Sequence, residues 1–182
     1  GTALPTGLTL NNDGSITGTT TVVGSATYQF KANDGKEDSE VASFTLVVNE
    51  APSLVVNTLD DAISNIDGVT SLREAVTLAQ TDAQITPVTF DPTVFATRQS
   101  TVVPFSPISI TSDVEIIGPA AGVSLTGMTL SISGGTVSLS RLTFRGQMSA
   151  PNIQITGTPT VTITGCTFGA AQFFASLPMI ND

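Results

Sequence analysis

Histidine and tryptophan are missing from all 182 residues, cysteine and tyrosine occur once each, and only 6 lysines and arginines stand against 15 aspartates and glutamates. Each shortage closes a class of function. With one thiol, Cys166, and no imidazole, neither an internal disulfide nor a zinc donor set can be assembled. A net charge of −9 repels a phosphate backbone, so nucleic acid is excluded as a partner. Apolar runs such as Phe44–Val48 fall far short of the roughly 20 residues that cross a bilayer, so no membrane-spanning segment is expected, and no signal peptide is visible. Charged residues are 12% of the chain, about half the usual share. Thr, Ser, Gly and Val take their place, the composition of a β-rich extracellular protein.

The first fifty residues read as short strands divided by Asx-Gly turns. Leu8–Leu10 precedes Asn12-Asp13-Gly14, Ser15–Gly18 follows, and the alternating Ala26–Ala32 is turned by Asn33-Asp34-Gly35 towards Ser43–Val48. Leu4-Pro5-Thr6-Gly7-Leu8-Thr9-Leu10, Gly14–Thr19, Tyr28-Gln29-Phe30 and Phe44–Val48 resemble the dystroglycan-type cadherin-like family of bacterial surface proteins, an immunoglobulin-like β domain. The resemblance covers about residues 3–49 and lacks the family's opening strands, which implies a partial Ig-like β-sandwich over residues 1–49.

Residues 50–53, with Pro52, read as a linker. Beyond it lies the one convincing helix, at about 72–80. Ser71-Leu72-Arg73-Glu74 has the capping-box form, and Leu72, Ala75, Val76 and Ala79 repeat at helical spacing. From about Val88 the period changes and an internal repeat appears. Val137–Gly146 aligns without gaps to Val161–Ala170 at an offset of 24 residues, while Ile108, Leu130 and Ile153 begin similar strands at offsets of 22 and 23. Short alternating strands recurring at this length indicate stacked coils, each holding three strands. That stacking sets Phe144 over Phe168 and Leu142 over Cys166. The thiol is therefore expected buried and reduced, in place of a core leucine.

The second part resembles the bacterial β-helix family known for its Ser-Leu-Arg-Glu-Ala signature. The matching residues are Val56–Asp61, Gly68–Val76, Val88–Asp91, Ile116–Pro119 and Leu139–Phe144, with Thr70 where many members carry cysteine. The expected fold is all-β: the partial Ig-like sandwich, then a right-handed parallel β-helix over residues 54–182 with one N-terminal capping helix.

Parallel β-helices also host polysaccharide-cleaving enzymes, whose chemistry needs paired carboxylates or a base beside acidic calcium ligands. After Val88 the acids are Asp91, Asp113, Glu115 and Asp182, and Ser138 and Thr162 occupy the positions stacked beside Glu115. No enzymatic activity is expected. Ser71, Arg73 and Glu74 are assigned to a structural cap, with Asp60 or Asp61, or exposed backbone carbonyls, as partners for Arg73. Asp34, Asp60, Asp61 and Asp67 are weak candidate calcium ligands in loops without the spacing of a dedicated site; no other cofactor is expected. Outward rows of Ser and Thr, together with Arg141 and Arg145, are candidate contacts for surface glycans. Leu8, Leu10, Phe173 and Phe174 are candidate assembly surfaces, to be covered by other domains of the same polypeptide or by identical subunits. The chain thus reads as a non-catalytic structural or adhesive segment of an exported bacterial surface protein. A carbohydrate-binding or processing module of a larger extracellular enzyme is the alternative.

Overall fold

A computed structural model describes residues 3–97, 101–102, 106–145, 152–169 and 174–175, with the backbone alone at 101, 174 and 175. Contacts divide the chain into two compact units, residues 1–51 with 64–68, and residues 52–63 with 69–182. The return of 64–68 to the first unit was not legible in the sequence; Glu50 N–H donates to the Asn65 carbonyl at 2.7 Å within that unit.

The first unit contains β1 (Leu8–Leu10), β2 (Ile16–Gly18), β3 (Gly24–Phe30) and β4 (Ala42–Val48). β1 and β2 pair antiparallel across a turn in which Asp13 accepts from the Ser15 N–H and hydroxyl at 2.9 and 2.7 Å. β3 and β4 pair antiparallel from Gly24 opposite Val48 to Phe30 opposite Ala42. Alternation along these strands puts Ala26, Tyr28, Phe44 and Leu46 on one face, where the Tyr28 and Phe44 rings stack at 5.5 Å. The other face carries Thr27 and Thr45, whose hydroxyls lie 3.0 Å apart. Two-stranded sheets bury little. Among the described residues of this unit Tyr28 is the single buried hydrophobic side chain, while Leu10 is 55% and Phe30 46% exposed.

The second unit begins with β5 (Val55–Val56), α1 (Leu72–Ala79) and β6 (Thr89–Phe90). β5 pairs parallel with β6, and Val88 forms a parallel bridge with Ile116, which sets residues 88–90 between β5 and the strands that follow. Those strands are β7 (Thr101–Val102), β8 (Ile108–Ile110), β9 (Val114–Ile117), β10 (Val123–Thr126), β11 (Leu130–Ile132), β12 (Thr136–Ser140), β13 (Leu142–Arg145), β14 (Ile153–Ile155), β15 (Thr160–Thr164), β16 (Thr167–Phe168) and β17 (Phe174–Ala175). They visit three parallel sheets in fixed rotation: β7-β10-β13-β16, β8-β11-β14-β17 and β9-β12-β15. Every third strand is thus a neighbour, the arrangement that an offset of 22 to 24 residues implies.

The registers follow the repeat. Val114, Val137 and Val161 align, as do Ile108, Leu130 and Ile153, and Leu125, Phe144 and Phe168. Period-two alternation turns these side chains inward, and one core cluster runs from Val56 to Ile153. Burial is nearly complete through β13, whereas Val161, Ile163 and Phe168, in the outermost strands of their sheets among the described residues, are half-buried. Asn152 is the polar exception: it is fully buried, and among the described residues neither atom of its carboxamide has a partner. Leaving such groups desolvated costs about 1–3 kcal/mol.

The corners depend on backbone geometry that few residues supply. A Cβ on Gly135, whose φ is +75°, would lie 2.2 Å from the Ser112 carbonyl carbon on the preceding round. At the next corner Arg141 takes a left-handed φ of +56°, and Gly165, its counterpart one repeat later, takes +61°. The turn thus imposes the conformation, and glycine adopts it without the steric cost that arginine meets.

Candidate functional site: the capped edge of the parallel sheets

α1 starts as its sequence dictates. The Ser71 hydroxyl accepts from the Glu74 N–H at 3.3 Å, and a Glu74 carboxylate oxygen accepts from the Ser71 N–H at 2.8 Å. Both halves of the capping box are present. Leu72, Ala75, Val76 and Ala79 are all buried, so one face of the helix belongs to the core and the other carries polar side chains.

Arg73 is the centre of the cap. Its Nη2 and Nε donate to the Asp61 carboxylate at 2.7 and 3.0 Å, and the side chains are only 14% and 2% exposed. The same guanidinium donates to the carbonyls of Ser106 and Pro107 at 2.7 and 2.9 Å, just ahead of β8. Both kinds of partner anticipated for Arg73 are therefore used, and Asp61, not Asp60, is the acid. A planar fork with several donors can serve a carboxylate and two carbonyls at once, which an ammonium cannot do as well.

Gln80, at the C-cap of α1, was not singled out from the sequence. Its Oε1 accepts from the Thr111 N–H at 2.8 Å and the Thr111 hydroxyl at 3.0 Å, while its Nε2 donates to the Ser109 carbonyl at 3.1 Å. The available signal was its position seven residues after Arg73, two turns along the same helix face. Beside it an open groove of about 460 Å³ is lined by Gln80, Asp82, Ile85, Ser112, Asp113 and Gly135. Asp82 is held below the usual carboxylate range by hydrogen bonds from Thr86 and the Gln84 N–H.

The four calcium candidates divide between the two units, Asp34 and Asp67 in the first and Asp60 and Asp61 in the second. Asp34 accepts from the Lys36 and Glu37 N–H groups, which lower its pKa. Asp60 is exposed next to the Thr58 hydroxyl, and Asp67 is exposed in the first unit. Asp61 is the partner of a guanidinium rather than a free oxygen donor. Among the described residues no group of three potential metal-ligating side chains occurs.

Of the four assembly candidates, Leu8 is half-buried and Leu10 exposed, and Val22, Phe30, Val41 and Val47 add to the exposed apolar surface of the first unit. Phe173 lies outside the described residues. Phe174 belongs to β17, whose backbone pairs in parallel with β14 opposite Gln154.

Cys166 corrects an expectation. Its side chain packs against the core, but it is half-buried rather than buried, because its round is the outermost one described in its sheet. Its Sγ lies 3.6 Å from the Leu139 carbonyl. Burial raises the thiol pKa above its ordinary value, against a smaller opposing effect of backbone hydrogen bonds. The thiolate is the reactive form. At pH 7 a disulfide reagent should therefore label the native protein several-fold more slowly than free cysteine, with the rate climbing as pH passes beyond the ordinary thiol range. Labelling as fast as free cysteine at pH 7 would contradict this placement.

Residues 1–49 match the family described as Putative Ig domain. No curated protein and no solved structure matches the chain. The match covers the two antiparallel sheets and none of the parallel ones. Among the described residues no helix is long and apolar enough to cross a membrane.

Proposed function

We propose that the chain is a non-catalytic structural or adhesive segment of an exported bacterial surface protein, an Ig-like β domain followed by a right-handed parallel β-helix that serves as a rigid spacer or binding surface. The observation that carries this reading is the rotation of β7 to β17 through three parallel sheets over one continuous core. Such a stack is quasi-one-dimensional, and each round is held by its neighbours. The Ig-like match supports an extracellular setting. The sparse burial in the first unit favours completion by other domains of the same polypeptide or by identical subunits, since apolar side chains such as Phe30 and Leu10 are largely exposed.

Support for a non-catalytic role comes from the placement of the acids. Glu115 is flanked in its sheet by Ser138, and Ser138 in turn by Thr162, so this row offers one carboxylate and hydroxyls. Asp113 accepts from the Thr136 N–H of the next round at 2.6 Å, a contact that ties two neighbouring rounds together. Asp91 closes its own turn with Thr93.

The groove beside Gln80 favours a second reading, a carbohydrate-binding module, because it combines carboxylates and hydroxyls with the exposed Ile85. A glycan array probed with the segment separates the two. A spacer leaves the array blank, whereas a binding module selects one carbohydrate class and loses it on Asp113→Ala. Polysaccharide cleavage abolished by replacing Asp113 or Glu115 would overturn both.

A further inference from the structure

β8 ends its sheet among the described residues, and an end strand presents unpaired backbone groups that invite another strand. On the β11 side those groups are engaged: Ile108 N–H donates to the Thr129 carbonyl at 3.0 Å, and the Ile110 carbonyl accepts from Ser133 N–H at 2.9 Å. The opposite side offers the carbonyls of Pro107 and Ser109 and the N–H groups of Ser109 and Thr111, and Ser109 is itself solvent-exposed. A neighbouring parallel strand would donate to the residue before Ile110 and accept from the residue after it, using the N–H and C=O of one of its residues. The Gln80 carboxamide makes these two bonds, to Ser109 and Thr111, and Arg73 takes the carbonyl of Pro107. The spacing matches as well. Seven helical residues rise about 10.5 Å, and the three extended residues from Pro107 to Ile110 span about 10 Å.

The geometry points to Arg73 and Gln80 as a surrogate strand that closes the β8 edge against a second copy of this chain. The sheet that ends at β8 runs in parallel to β17 at its other described end, so β17 of one copy presents the strand polarity that β8 of another would accept. That contact is head-to-tail and does not close on itself, which makes an open β8 edge a route to filaments. The inference rests on the stacked-strand reading but not on what the segment binds.

The test uses the full chain carrying Gln80→Met, which keeps the side chain's length and removes both hydrogen bonds. Amide exchange at Thr111 and sedimentation are followed against protein concentration. In dilute solution Thr111 should exchange about tenfold faster than in the parent. As concentration rises the exchange should slow again, and species larger than any of the parent's at equal concentration should appear. Gln80→Glu retains an acceptor for Thr111 and adds a charge to the edge, so it should keep the parent's size. Unchanged exchange in Gln80→Met overturns the proposal, as does faster exchange that is independent of concentration with no growth in size. Gln80→Asn, one methylene too short, replaces the methionine variant if that fails to fold and is judged by the same two readouts. A glycan-array result bears on the proposed function and leaves this inference untouched.

Discussion

Asp61→Ala is expected to destabilise the second unit by about 3–5 kcal/mol, the usual consequence of removing one partner of a buried ion pair. The Asp61 carboxylate is 2% exposed and holds the Arg73 guanidinium through contacts of 2.7 and 3.0 Å. Without it, the cation stays mostly out of water with, among the described residues, only the carbonyls of Ser106 and Pro107 for partners. Those carbonyls belong to the segment entering β8, so the damage should spread from the cap to the first rounds of the sheets. Urea unfolding of the whole chain measures the loss. A change below about 1 kcal/mol, the range of exposed pairs, would show that water reaches this site. Asp61→Asn keeps an acceptor without the charge and should fall between the parent and the alanine variant.

Phe144→Ala should cost a similar amount, about 3–5 kcal/mol, through lost burial and the cavity left behind. Its ring is fully buried between Leu125 and Phe168 in register, and it stacks on Phe168 at 5.1 Å with an interplanar angle of 8°. The same substitution at Phe168 removes the same stacking contact from a half-buried position. It should therefore cost less than half as much. Comparing the two urea midpoints tests the placement directly: equal losses would mean that Phe168 is as enclosed as Phe144, against its half-buried position here.

Local patterns carried most of what was legible beforehand. The capping box at Ser71 and Glu74 and the apolar spacing of Leu72, Ala75, Val76 and Ala79 set the limits of α1 to within a residue. Alternation and the repeat offsets placed Val137 against Val114 and Val161, because a one-residue slip would turn an entire apolar set outward. What escaped depends on contacts distant in sequence. Gln80 reaches Ser109 and Thr111, about thirty residues away, through a polar amide that has no periodicity to betray it. The exposure of Cys166 depends on what stacks beyond its round, and its own flanking residues carry no trace of that.

By itself, then, the amino-acid order determined the elements and their faces. Hydrophobic period, turn glycines and caps are properties of neighbouring residues, and they already distinguish antiparallel pairs before residue 50 from short strands recurring every 22 to 24 residues after it. Tertiary structure alone decided which polar groups distant in sequence meet. The choice of Asp61 over Asp60 for Arg73, the return of residues 64–68 to the first unit, and the use of Gln80 in place of a strand all arise when chain segments far apart are brought within 3 Å or so, a distance at which hydrogen bonds form. Short-range pattern cannot specify such pairs, because several equivalent donors and acceptors lie within a residue or two and only packing selects among them.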